Sequence, residues 1–120
     1  MKYFLDTYAL IEIAEGNPGY QRYVESDAVT LKDNLAELFY FLLKKYDEKV
    51  ARFFLTKFST LAVELPLSVL TKAMIFRYKH RDKHFSYIDC FGYIYAVEHR
   101  MFFLTGDRAF HGMEHVDLVR

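Results

Sequence analysis

Apolar and polar positions follow two rhythms along this chain. Short apolar runs at Tyr3–Leu5, Ala28–Leu31, Leu61–Leu65, Met101–Thr105 and Val116–Val119 read as buried strands. Between them the apolar positions recur at helical spacing. Leu10, Ile11, Ile13 and Ala14 predict a first helix. Leu35, Leu38, Phe39, Leu42, Leu43 and Tyr46 predict a long one, and Val50, Phe53, Phe54 and Phe58 another that starts at Asp47-Glu48. Leu67–Tyr78 and Ser86–Glu98 complete the set, with Ser68 a candidate cap for the former and a short helix expected around Tyr20–Glu25. Breaks fall at Gly16-Asn17-Pro18-Gly19, at Pro66 and at Gly106-Asp107. Strands separated by helices predict a three-layer α/β/α fold, with a central parallel sheet of four to five strands flanked by helices. In such a sheet each strand's carboxyl end lies on one edge with the next helix's amino end, and ligands bind at that edge.

The chain has 120 residues, enough for a real core, and no repeat, linker or low-complexity tract, so one domain over 1–120 is expected. No apolar stretch is long enough to span a bilayer, and Asp6 interrupts the apolar run that a signal peptide would need. A lone cysteine, Cys90, rules out an internal disulfide and fits a reducing cytoplasm. Sixteen basic and sixteen acidic residues balance, which argues against a protein that coats nucleic acid with a broad basic face and leaves room for a local basic patch. Aromatics make up 18% of the chain, a load that fits either an aromatic-rich core or a protein interface.

Four acids occupy the expected binding edge. Asp6 ends the first strand, where a helix N-cap is an equal reading. Glu37 sits one turn inside the long helix among Leu35, Ala36, Leu38, Phe39, Tyr40 and Phe41. Asn34 lies at capping-box spacing from it. Asp89 repeats that spacing from Ser86, amid Tyr87, Ile88, Cys90, Phe91 and Tyr93, and Asp107 follows the strand ending at Thr105. Each has a structural explanation when read alone, a cap or a turn. Together they predict four carboxylates on one edge, close enough to need a shared counter-charge. Oxygen donors of this kind suit Mg²⁺ or Mn²⁺ better than Zn²⁺, and a carboxylate-held divalent cation is suited to phosphodiester hydrolysis.

The segments Tyr3-Phe4-Leu5-Asp6-Thr7, Leu35-Ala36-Glu37-Leu38, Ile88-Asp89 and Leu104-Thr105-Gly106-Asp107-Arg108-Ala109-Phe110 resemble the four acidic motifs of PIN domains, in order and across nearly the whole chain. The size and the short tail after Asp107 resemble VapC-type toxins. That resemblance implies an endoribonuclease dependent on Mg²⁺ or Mn²⁺, neutralised by a cognate VapB-type antitoxin, and a homodimer. Carried over by position, Asp6, Glu37, Asp89 and Asp107 form the acidic catalytic and metal site. Asp6 and Asp89 are the most direct ligands, and Thr7 and Thr105 are supporting residues. Tyr8 stands where the family often has a small polar residue, Cys90 where it often has Ala, and Ala109 where it often has an acid. The first two put the shape of the cleft in question.

Other features are less specific. Lys79, Arg81 and Lys83 lie in a charged loop just before Asp89, and either contact RNA or an acidic antitoxin segment, or are simply solvated. The two His-x₃-His pairs, His80/His84 and His111/His115, are not zinc-protease motifs. Tyr8 stands where an aspartyl phosphatase would want its second acid. Two alternatives to a toxin remain at this level: an RNA-processing nuclease without an antitoxin, and a PIN-like module that binds RNA or protein without cutting.

Overall fold

The computed structural model describes residues 2–120. Among them, β1 (Lys2–Leu5), β2 (Asp27–Leu31), β3 (Ala62–Val63), β4 (Phe102–Thr105) and β5 (Val116–Leu118) form one sheet in the order β3-β2-β1-β4-β5. Every pairing is parallel, with Phe4 opposite both Val29 and Phe103 in the central register. Five helices flank the sheet: α1 (Thr7–Ala14), α2 (Lys32–Lys45), α3 (Glu48–Ser59), α4 (Leu67–Lys79) and α5 (Tyr87–Glu98). The expected parallel α/β architecture is present with five strands.

The period of two along the strands divides the core. Phe4 and Phe103 point to one face and pack with Val69, Ala73, Tyr93 and Ala96 of α4 and α5. Their neighbours Leu5 and Leu104 point to the other and pack with Leu10, Leu35, Leu38 and Ala51 of α1, α2 and α3. Much of the aromatic load fills the first of these layers. Phe4 stacks on Phe103 at 5.8 Å and Phe85 on Phe110 at 4.5 Å, while Tyr93 meets Phe103 edge-on. Tyr20, Tyr23 and Phe58 are buried in the second layer, while Tyr40, Phe53, Tyr78 and Tyr87 are more than half exposed at 62%, 63%, 68% and 57%. The aromatic content is thus mostly core, with a minority of rings left on the surface.

Several local expectations are corrected. The segment after the first break is a 3₁₀ helix over Pro18–Tyr23, opened by Asn17, whose side chain accepts from Gly19 N–H at 2.9 Å. The third strand is two residues long, and α4 begins directly after Pro66, so Ser68 lies inside it and caps nothing. No capping box forms at Asn34 and Glu37. α2 starts at Lys32 with Leu31 at the N-cap, so Asn34 is already in the first turn and its side chain is free to reach elsewhere. The capping box at Ser86 and Asp89 does form. Ser86 Oγ accepts from Asp89 N–H at 3.0 Å, and Asp89 Oδ2 accepts from Ser86 N–H at 2.9 Å. Asp47 caps α3 as expected.

α4 and α5 run antiparallel. Lys72 bonds Glu98 near one end of the pair, and Arg77 Nε donates to the Phe85 carbonyl at 2.9 Å near the other. This hairpin brings the amino end of α5 back to the strands' carboxyl edge. Gly92 sets how close it lies: a Cβ there would stand 2.6 Å from Phe4 Cε1 and 3.1 Å from Phe103 Cε1. Gly92→Ala is expected to push α5 off β1 and to destabilise the protein by about 1–3 kcal/mol, the usual cost of overpacking. Chemical denaturation measures this, and an unchanged midpoint would show that the rings yield freely.

Candidate functional site

Asp6 is the deepest acid in the cleft, 4% exposed at the end of β1. Its N–H closes the last rung to β4 by donating to the Leu104 carbonyl at 3.1 Å, and its own carbonyl accepts from Leu10 N–H to begin α1. Its side chain does not cap that helix. Instead Oδ2 accepts from Thr105 Oγ1 at 2.8 Å, and Thr105 Oγ1 in turn accepts from Asp107 N–H at 3.1 Å. Of the two readings open for Asp6, the side-chain cap is not the one formed: the carboxylate faces the sheet edge. One buried hydroxyl thereby joins the ends of β1 and β4 to the loop carrying Asp107. Asp107 Oδ1 accepts from Ala109 N–H and so orders the 3₁₀ turn Arg108–Phe110.

Glu37 reaches the same place from the second turn of α2. It accepts from Thr7 Oγ1 at 2.5 Å, and Thr7 Oγ1 accepts from Asn34 Nδ2 at 3.0 Å. Glu37 is half-buried rather than surrounded by apolar side chains, because its apolar sequence neighbours lie on other faces of the helix. Asp89 arrives in the first turn of α5. The cleft that results, about 500 Å³, is lined by Asp6, Glu37, Asp89 and Asp107 together with Thr7, Tyr8, Ile11, Gly106, Arg108 and Arg120.

The electrostatics agree with this geometry. Asp6 is pushed up from 3.8 to about 7, first by burial, then by the charge of Asp89, with a smaller push from Glu37; bonds from Thr105 and Thr7 oppose the shift. Asp89 is also raised by burial and, to a lesser degree, by Asp107, against the stabilising bonds from Ser86. Asp6 therefore feels Asp89 and Glu37, and Asp89 feels Asp107, across the cleft. They do not close into a cage: among the described residues, no three Asp, Glu, His or Cys side chains are grouped tightly enough to hold a metal ion unaided. An open set of oxygen donors around a buried acid that is half-neutralised near pH 7 fits a hydrated Mg²⁺- or Mn²⁺-sized cation, which keeps several waters and needs only one or two carboxylates.

The cationic residues at the cleft are Arg108 and Arg120, neither of which the sequence singled out. Arg120 follows β5, and its approach depends on Val119 N–H donating to the Thr105 carbonyl at 2.9 Å and on Tyr20 Oη donating to the Val119 carbonyl. Lys79 is instead the exposed last residue of α4, and Arg81 and Lys83 sit on the exposed turn between α4 and α5. None lines the cleft, and the Arg81 guanidinium lies over the Tyr78 ring. Tyr8 does line it, tilted against Tyr20 and resting on Gly106. Cys90 is buried beneath the cleft's edge with its thiol pushed up to about 11 by burial, so it packs as a small apolar residue.

No curated protein matches the chain by sequence, and none of the described helices is long and apolar enough to cross a membrane. Among solved structures, the chain is similar to a Sarcin-Ricin loop cleaving VapC toxin of Mycobacterium tuberculosis, with TM-score 0.80, 16% identity and coverage of 98% of this chain and 99% of that one. It is similar to a chain of the VapBC complex of Rickettsia felis bound to a DNA fragment from their promoter, with TM-score 0.78, 15% identity and full coverage of both chains. A toxin–antitoxin complex from Klebsiella pneumoniae matches with TM-score 0.74 and 18% identity over 96% of this chain and 95% of that one. At such identities these likenesses concern the fold. The family model for the PIN domain, however, matches residues 3–116, and the chain therefore belongs to the PIN-domain family.

Proposed function

We propose that this chain is an endoribonuclease dependent on Mg²⁺ or Mn²⁺ and the toxin of a VapBC-type toxin–antitoxin pair. The observation that carries the reading is the convergence of Asp6, Glu37, Asp89 and Asp107 on one cleft, with Asp6 raised to about 7 by burial and by the neighbouring charge of Asp89. Asp6 and Asp89 would hold the cation, and Glu37 and Asp107 would orient water and the remaining coordination. When bound, the divalent cation supplies Lewis acidity to a scissile phosphate and to water. Thr105 keeps Asp6 aimed, Ser86 keeps Asp89 aimed, and Thr7 keeps Glu37 aimed. Arg108 and Arg120 supply positive charge at the cleft for the phosphate backbone. Cleavage would leave a 5′-phosphate.

VapBC and toxin–antitoxin complexes among the structural neighbours support an antitoxin as partner. Exposed Tyr40, Phe53, Tyr78 and Tyr87 offer apolar surface for that partner and for a second copy of the chain.

The test compares cleavage of a structured RNA in Mg²⁺, in Mn²⁺ and in EDTA by the wild type and by Asp89→Asn. Asn retains an acceptor oxygen for Ser86 N–H, so the capping box and α5 survive the change. Cleavage is expected only with a divalent cation, and the variant is expected to lose about a hundredfold. Equal cutting by both proteins, or cutting undiminished in EDTA, would refute the reading.

A further inference from the structure

Asn34 is fully buried, yet it is neither a cap nor a core filler. Its Nδ2 donates to Thr7 Oγ1 at 3.0 Å, across 27 residues of sequence. Its Oδ1 is a buried polar atom with no hydrogen-bond partner among the described residues. An orphaned acceptor is costly in a protein interior, so the amide is retained for what its other end does.

That end decides the direction of a proton. A threonine hydroxyl has one proton and two lone pairs. With an Asn34 N–H on one lone pair, the Thr7 proton goes to Glu37 Oε1, 2.5 Å away. Turning the amide over would set an acceptor against Thr7 and draw its proton away from Glu37. The same construction occurs across the cleft, where Asp107 N–H occupies Thr105 Oγ1 and the Thr105 proton goes to Asp6. Two N–H to hydroxyl to carboxylate relays thus end on acids of one cleft. One uses a backbone donor; the other has only the side chain of Asn34.

We propose that Asn34 is a positioning residue: by committing the Thr7 hydroxyl to Glu37, it holds that carboxylate as an acceptor aimed into the cleft, in the orientation that a divalent cation and its waters require. The inference rests on the metal-dependent nuclease reading and deepens it. Outer partners of this kind affect metal affinity through the groups they orient.

The test is Mn²⁺ binding by titration calorimetry, alongside RNA cleavage, for wild type, Asn34→Leu, Thr7→Val and the double variant. Asn34→Leu nearly preserves volume and removes the orphaned acceptor, so its unfolding midpoint in EDTA should match or exceed that of the wild type. Its Mn²⁺ affinity should nevertheless fall about tenfold. Thr7→Val should cost about as much, and the double variant no more than either, because both break the same relay. Thr7→Ser, which keeps the hydroxyl, should restore most of the affinity. Should Asn34→Leu not fold, Asn34→Ala is read in the same cycle. Unchanged Mn²⁺ affinity in the Asn34 variants, or costs that multiply in the double variant, would overturn the relay while leaving an active wild type and the nuclease reading intact. A wild type that neither binds Mn²⁺ nor cuts RNA overturns both.

Discussion

Replacing Asp6 with Asn is expected to abolish cleavage and, at the same time, to make the metal-free protein more stable at pH 8. The two effects share one cause. Asp6 is raised from 3.8 to about 7 in the folded chain, chiefly by burial and then by the neighbouring charge of Asp89. Between those values the folded protein holds a proton that the unfolded chain has released. Folding therefore takes up a proton in this window, and stability falls as pH rises from about 4 to 7 and stays low above it, by on the order of a few kcal/mol. Asn is neutral at every pH, can still accept from Thr105 Oγ1, and finds acidic acceptors for its own amide in the cleft. Urea denaturation in EDTA should show a wild type more stable at pH 5 than at pH 8, and a variant from which the part of that slope due to Asp6 is missing. Mn²⁺ should then stabilise the wild type at pH 8 and leave the variant nearly unmoved. A variant weaker than the wild type at both pH values, with no change of slope, would mean that Asp6 is an ordinary structural acid. Loss of cleavage, at least about a hundredfold, separates that outcome from the one expected here.

Much of this site was legible in the sequence because it depends on local period. Phe4/Leu5 and Phe103/Leu104 alternate between the two faces of a parallel strand pair, and such strands end where their polar residues begin, at Asp6 and at Thr105 to Asp107. Ser86 and Asp89 form their capping box from spacing alone. What escaped depends on contacts distant in sequence. Asn34 and Glu37 have capping-box spacing too, but α2 begins earlier, and Asn34 reaches across to Thr7 instead. The position of Asp89 depends on an antiparallel α4–α5 hairpin and on Gly92 lying against Phe4, neither of which helical periodicity encodes. Arg120 joins the cleft only because β5 pairs beside β4 and its tail is tied to Thr105. The charged run at Lys79, Arg81 and Lys83 stood out in the sequence, yet the cations that line the cleft are Arg108 and Arg120.

Gly106→Ala is expected to damage both stability and cleavage, and the reason lies in Tyr8. Gly106 is needed for space: an added Cβ would stand 2.2 Å from Tyr8 Cε1, 2.4 Å from Tyr8 Cζ and 2.7 Å from the Val119 carbonyl oxygen. The first two contacts are with a side chain and the third is with backbone. Relief by swinging the Tyr8 ring would alter the wall of the cleft next to Asp6. Relief by moving the Gly106 backbone would drag Thr105 and Asp107, and with them the hydroxyl that aims Asp6. Either route costs about 1–3 kcal/mol, a fall of roughly 4 °C or more in melting temperature for a domain of this size. Cleavage should fall further than stability alone explains, since both routes displace the acids. Adding Tyr8→Ala removes the ring contacts but leaves the methyl against the Val119 carbonyl, so thermal melting of the double variant should show partial recovery. Full recovery would locate the whole constraint in Tyr8. No recovery would locate it in the tail that ends at Arg120, and would make the register of β5 beside β4, rather than the aromatic residue after Thr7, the feature that shapes this cleft.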